Sequence, residues 1–333
     1  MSCLKFIDIW MERWYHKAVP DIGRKKSKSI IHPFVVKGHT GLTINPYQGC
    51  HHRCAYCYAT YEWSPEFFDK IYAKSNAAEV LENQLRSWKS DAIDPVMVSS
   101  ATDPYQPAEI KYNLTRKCIE VLQRYDVPYY VFTKSSIILR DLELHKKHKD
   151  KCFLVWSITT CNERIRRLIE PGTPPASSMF KTIKRFTDIG VCCGVNVDPI
   201  LPLITDSKED LELILDSCKE SGVKYVFGAV LRLRADIWQR MVTILMSLGM
   251  EHGVDEYERI YQLTKPLMPG YNINANEYYS TKVLQDLRKN VSERGMIFDF
   301  PTFIKSRQIK ERHTRNLIHR LGPGQQLTLM KYM

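Results

Sequence analysis

Asn45-Pro46-Tyr47-Gln48-Gly49-Cys50-His51-His52-Arg53-Cys54-Ala55-Tyr56-Cys57-Tyr58 is the stretch on which the reading of this chain turns. Its three cysteines, spaced C-x3-C-x2-C, share one short loop. A cluster that only carries electrons takes four thiolates, one per iron. Three thiolates on one loop hold three irons of a cubane and leave the fourth open to a substrate or cofactor, which points to an enzyme. Two other readings remain at this level: a zinc knuckle completed by His51 or His52, or three unrelated thiols. Zinc ligands usually come as two separated doublets, and this stretch is a single triplet.

Outward from the loop, residues 41–233 alternate short apolar runs with amphipathic stretches. The runs at 42–45, 96–101, 129–133, 153–159, 192–197 and 225–232 read as strands. Between them, 77–88, 115–125, 139–148, 177–189 and 208–220 repeat apolar residues every three or four positions, as helices do, and a further helix is expected over 236–246. Parallel neighbours need crossovers, so this rhythm predicts a parallel α/β sheet, and six units give a partial (β/α)6 TIM-type barrel. An open doubly wound sheet is the alternative, weakened because no glycine-rich phosphate turn follows any strand. Residues 1–38 read as an amino-terminal extension and 39–248 as the barrel core. Residues 249–333 read as a mainly helical, basic segment, with helices at 255–263 and 279–291.

The 333 residues are 44% hydrophobic, enough to fill such a core. No apolar run approaches the eighteen or so residues of a membrane span, and Asp8 and Glu12 interrupt the amino terminus where a secretory signal would be apolar, so a soluble cytoplasmic protein is expected. The other seven cysteines show no disulfide framework and no second metal spacing. Formal net charge is +11, gathered at Arg24-Lys-Lys-Ser-Lys28, 145–151, 164–167 and above all 305–320, which holds six Lys or Arg against the single acid Glu311. Such stretches attract nucleic acid, or else are solvated helix faces.

C-x3-C-x2-C with an aromatic residue before the last cysteine resembles the radical S-adenosylmethionine (radical SAM) superfamily. The wider phrase through Tyr58 resembles its spore photoproduct lyase-like branch. The likeness continues in Thr102-Asp-Pro-Tyr-Gln-Pro-Ala-Glu109, Phe132-Thr-Lys134, Trp156-Ser-Ile-Thr-Thr160, Glu170-Pro-Gly-Thr-Pro174 and Asp198-Pro-Ile-Leu-Pro202, so it covers about residues 30–235. The resemblance implies the partial barrel, with a [4Fe–4S] cluster on Cys50, Cys54 and Cys57 and S-adenosylmethionine (SAM) on the open iron. Reductive cleavage of SAM would give a 5′-deoxyadenosyl radical, with the electron coming from a low-potential ferredoxin or flavodoxin.

The resemblance also implies roles at the strand ends, where reactive groups of parallel barrels gather. Lys134 would pair with the methionyl carboxylate, Ser157 would also contact it, and Ser100 or Thr102 would lie near the amino group. Tyr56 and Tyr58 would be relays for a returning hydrogen. Against these stand plainer readings: hydroxyls satisfying strand-end backbone, a surface lysine, and aromatic packing on the loop. Strand alternation puts Asn196 with Asp198 on the interior face, as a ribose contact or a hydrogen-bonded core asparagine. Arg166, Arg167 and Glu170 read either as substrate or cofactor contacts or as a surface salt-bridge group.

One departure bears on the reaction. Spore photoproduct lyase carries a hydrogen-donating cysteine at the end of strand two, where this chain reads Ser99-Ser100-Ala101-Thr102. Cys161, on the alternation face of Ser157, is the candidate surrogate, against the reading of an inert buried thiol. The leading function is a radical SAM enzyme acting on nucleic acid, in the manner of a DNA repair lyase. The alternatives are a radical SAM enzyme for a peptide or small metabolite, and a non-catalytic, metal-stabilised nucleic-acid-binding protein.

Overall fold

β-Branched and aromatic residues at alternate positions let one face of each strand pack on helices while the other lines an interior. The computed structural model describes residues 21–36, 39–60, 67–88, 93–264, 267 and 271–304. Its strands are β1 (Asp21–Lys25), β2 (Ile31–Val36), β3 (His39–Ile44), β4 (Tyr47–Gln48), β5 (Lys70–Lys74), β6 (Val96–Val98), β7 (Tyr129–Thr133), β8 (Cys152–Ser157), β9 (Cys192–Ile200), β10 (Tyr225–Val230), β11 (Arg232–Leu233) and β12 (Ile273–Asn274).

The main sheet runs β10-β9-β8-β7-β6-β3-β2. Six of its strands, β3 and β6 to β10, are parallel and follow chain order, the expected six-unit partial barrel. The sheet does not close. Helices Ala77–Arg86, Leu114–Arg124, Ala176–Thr187 and Lys208–Glu220 cover its outer face. Leu81, Ile119, Phe186 and Ile214 pack there against Val131, Leu154, Trp156 and Val195, each burial contributing about 1.5–3 kcal/mol. The helix expected at 139–148 forms instead as a 3₁₀ turn, Ile137–Asp141, followed by Leu142–Lys146. Asp141 is fully buried, its carboxylate held by Arg116 and Arg140, which fixes that tight turn.

On the opposite, concave face, Tyr130, Phe132, Phe153, Tyr225 and Phe227 form an aromatic layer. Phe300 packs into it from the carboxy-terminal segment, its ring stacked on Phe227 at 4.2 Å between centroids. The same strand face carries Lys134, Ser157, Asn196 and Asp198 toward the carboxyl ends.

Two features escaped the period reading. Residues 31–36 add β2 to the sheet, antiparallel to β3, and residues 21–25 form β1 in a separate sheet ordered β1-β5-β4. Beyond the barrel, β11 pairs with β12, and helices Ala235–Ser247, His252–Tyr261 and Glu277–Glu293 follow the expected positions. The basic stretch at 305–320, like Asp8 and Glu12, lies outside the described residues. Among the described residues no helix is long and apolar enough to cross a membrane.

Candidate active site

The cysteine loop leaves β4 at the carboxyl edge of the barrel and is held from three sides. Gln106, fully buried, brackets Cys50: its Nε2 donates to the Gly49 carbonyl (3.1 Å) and its Oε1 accepts from the His51 amide (3.2 Å). Ala55 N donates to the Ile169 carbonyl (2.8 Å) and Gly172 N to the His52 carbonyl (3.1 Å). A Cβ on Gly172 would stand 2.4 Å from the His51 carbonyl oxygen, so only glycine permits this approach.

His52 spans the loop and the end of β6. Its Nδ1 faces the Gly172 carbonyl (3.0 Å) and its Nε2 lies 3.0 Å from Asp103 Oδ2. Asp103 also accepts from Tyr105 N (2.8 Å), Thr133 Oγ1 (2.8 Å) and Lys134 N (2.6 Å). One buried carboxylate therefore ties the cysteine loop to the ends of β6 and β7. His51 Nδ1 faces Gln106 Oε1 at 3.1 Å. His52, engaged at both ring nitrogens, is thus committed elsewhere. Among the described residues no three His, Cys, Asp or Glu side chains gather as a single ion would hold them.

Cys50, Cys54 and Cys57 are free thiols. Burial raises the Cys50 pKa to about 12 and also raises Cys54 and Cys57. After burial, the carboxylates of Asp103 and Glu170 contribute most to the rise of Cys50 and Cys54 respectively, with smaller contributions from Cys57 on both and from Cys50 on Cys54. Cations act the other way: Lys134 on Cys54, and Arg240 and Arg234 on Cys57. Arg240 Nη2 also donates to the Cys57 carbonyl (3.4 Å). Three thiols on one loop, with cations beside two of them, suit an anionic iron–sulfur centre, whose binding must release their protons.

Lys134 Nζ donates to the Ser157 carbonyl (3.1 Å) and to Glu170 Oε1 (3.0 Å), and sits 5.4 Å from the centre of the Tyr56 ring. Burial would lower the lysine and raise the glutamate. The pair outweighs both effects, leaving Lys134 raised and Glu170 lowered, so both are charged. Tyr56 donates its hydroxyl to Glu170 and lies 3.0 Å from Thr159 Oγ1. Ser157 and Asn196 are register partners on β8 and β9, so Lys134, Ser157 and Asn196 line one rim. Burial raises the Asp198 carboxyl against the opposing pull of Arg232, Lys134 and a bond from Asn196.

At the end of β6, Ser100 Oγ accepts from Asn45 Nδ2 (3.3 Å), and the half-exposed Tyr58 donates to the Ser100 carbonyl. The buried hydroxyls Ser99 Oγ and Thr102 Oγ1 have no hydrogen-bond partner among the described residues, as donors awaiting a ligand would. Cys161 stands apart. It packs on helix Lys208–Glu220, bonded to Ser217 and near Asp210, away from the other ten expected site residues. Arg166 is a structural clamp on the Glu170 and Thr173 carbonyls, and Arg167 is an exposed partner of Glu163. The sequence reading missed the work of Asp103, His52 and Gln106. The hints lay in the motifs 45–58 and 102–109, quoted without a role for Asp103 or Gln106 and with His52 read only as a possible zinc ligand.

The Radical SAM superfamily model matches residues 44–218. An uncharacterized protein of Mycobacterium tuberculosis, Rv2578c, is 31% identical over 244 residues, 69% of each chain. A radical SAM Nalpha-GlyT isomerase of Pseudomonas phage M6 is 22% identical over 259 residues, 77% of this chain and 52% of the relative. Among solved structures, a spore photoproduct lyase variant with bound AdoMet and dinucleoside spore photoproduct superposes with a TM-score of 0.63 at 14% identity, covering 84% of this chain and 82% of that one. The chain belongs to the radical SAM superfamily. It is an enzyme of that class, with a [4Fe–4S] cluster and SAM as cofactors and a need for an external electron donor.

Proposed function

We propose that this enzyme acts on nucleic acid, in a lyase or repair-like reaction, with a ferredoxin or flavodoxin as electron donor. When bound, cluster and SAM together supply a 5′-deoxyadenosyl radical. In this reading Cys50, Cys54 and Cys57 hold the cluster. Lys134 takes the methionyl carboxylate, with Ser157 beside it, while Ser100 or Thr102 takes the amino group and Asn196 the ribose. Tyr58, half-exposed at the mouth, faces substrate, and Tyr56 is oriented by Glu170.

The observation that carries the site assignment is Lys134, a largely buried cation whose Nζ lies 5.4 Å from the ring of Tyr56, between Cys54 and Cys57 in the loop. The substrate class is supported by the net charge of +11, and by relatives whose own names concern a dinucleoside lesion and Nalpha-GlyT. Anaerobic reconstitution with SAM and dithionite should yield 5′-deoxyadenosine from wild type and none from Cys54→Ala. Nucleic-acid binding should weaken steeply with salt. Affinity indifferent to ionic strength would remove the substrate half of the reading and leave the enzyme.

A further inference from the structure

The amino-terminal strands explain a basic motif that the active site does not use. Gly23, Lys25, Gln48, Lys70 and Tyr72 share one face of the sheet β1-β5-β4, because Gly23 is paired with Tyr72, Lys25 with Lys74, and Gln48 with Tyr72. The other face, with Tyr47, Ile71 and Ala73, is packed against Ala108 and Leu114. A Cβ on Gly23 would meet the Tyr72 ring at 3.1 Å, so the bare glycine lets that ring lie across β1. Tyr72 is half-buried, and Lys25 Nζ lies 5.4 Å from its centre while donating to Gln48. Lys70 flanks it, and Lys26 and Lys28 follow the end of β1, all three exposed. Gln48 stands two residues before Cys50, so this face adjoins the cysteine loop.

A flat aromatic ring bordered by lysines is the chemistry that binds single-stranded nucleic acid, stacking a base while the cations meet phosphates. We infer that the face built from Tyr72, Lys25, Lys70 and Gln48 docks a single-stranded stretch of the nucleic-acid substrate, with Tyr72 as the stacking platform. The inference rests on the nucleic-acid reading above and names where the strand is held. The charge on this face is net positive: Lys25, Lys70 and Lys74 stand against Asp21, the register partner of Lys70.

The test measures binding of a fluorescent single-stranded oligonucleotide to the reconstituted enzyme across a salt series. Tyr72→Ala should cost about ten-fold or more in affinity and Tyr72→Phe little. Lys25→Gln with Lys70→Gln should flatten the log–log salt slope by about 1.4, at roughly 0.7 for each single-strand phosphate left without its lysine. Lys70 is exposed and Lys25 half-buried, and neither belongs to the core, so that double variant folds even if Tyr72→Ala does not. In every variant, 5′-deoxyadenosine formed without substrate should match wild type. Wild type that binds no oligonucleotide ends the nucleic-acid reading and this surface with it. Wild-type binding that the double lysine variant leaves unchanged in affinity and slope overturns the surface alone. So would equal losses toward poly-glutamate, which would mark a general acid-binding face.

Discussion

The Lys134 ammonium lies 3.0 Å from the Glu170 carboxylate, joining two side chains 36 residues apart that are only 12% and 1% exposed. Each makes the other tolerable in the interior, so their removal should not be additive. Lys134→Ala strands a buried carboxylate and should cost the metal-free protein about 3–5 kcal/mol in urea denaturation. Adding Glu170→Gln should restore most of that loss. SAM affinity should stay at least about ten-fold down in both variants, since the proposed carboxylate partner is gone. A double variant no more stable than the single would deny the pairing its weight.

Gly172→Ala should disturb the cysteine loop through the backbone. Its new methyl would meet the His51 carbonyl oxygen at 2.4 Å and the His52 Cα at 2.8 Å, and neither is a movable side-chain tip. Overpacking of this kind costs about 1–3 kcal/mol. Iron bound per chain after reconstitution should fall with thermal stability. Full iron loading at unchanged stability would contradict the tight approach.

Cys161→Ala should leave turnover within about two-fold of wild type, the scale of a neutral substitution. The thiol faces helix Lys208–Glu220 and Ser217, whereas Tyr56 and Lys134 are gathered at the cysteine loop. Loss of coupled product with normal 5′-deoxyadenosine formation would restore it as the hydrogen donor.

Acid should weaken the fold through His145. Its ring is fully buried, with Nε2 3.0 Å from the Tyr105 hydroxyl and Nδ1 3.0 Å from that of Tyr129. Burial lowers its pKa to about 4 from an ordinary 6.5. Between those values the unfolded chain takes up a proton that the folded one refuses. The contribution is therefore complete above pH 6.5 and lost as pH falls toward 4, roughly 3 kcal/mol in all. Urea midpoints of the metal-free protein at pH 7 and 5 should differ less in His145→Gln than in wild type. Equal pH slopes would mean that the ring titrates normally.

The strands and helices of the barrel were legible because their side-chain periods are local. The expected strand at 129–133 and helix at 208–220 match the observed bounds. β1, β4, β5 and β12 were not, since strands of two to five residues take their register from distant partners, nor was β2, which pairs with its chain neighbour β3. The cysteine triplet was legible for the same local reason, and alternation correctly put Asn196 and Asp198 on one face of β9. Alternation misled at Cys161, because the chain leaves the sheet after Ser157 and parity no longer dictates direction. Asp103, within Thr102-Asp-Pro-Tyr, carries no local sign of its part in the site. Its role as a junction depends on His52, Thr133 and Lys134, which only the fold assembles.

Phe300, stacked on Phe227, makes the stretch after the last helix part of the wall of the same interior that carries Lys134 and Asn196. A chain cut before Phe300 would therefore let water onto the inner face of the strands.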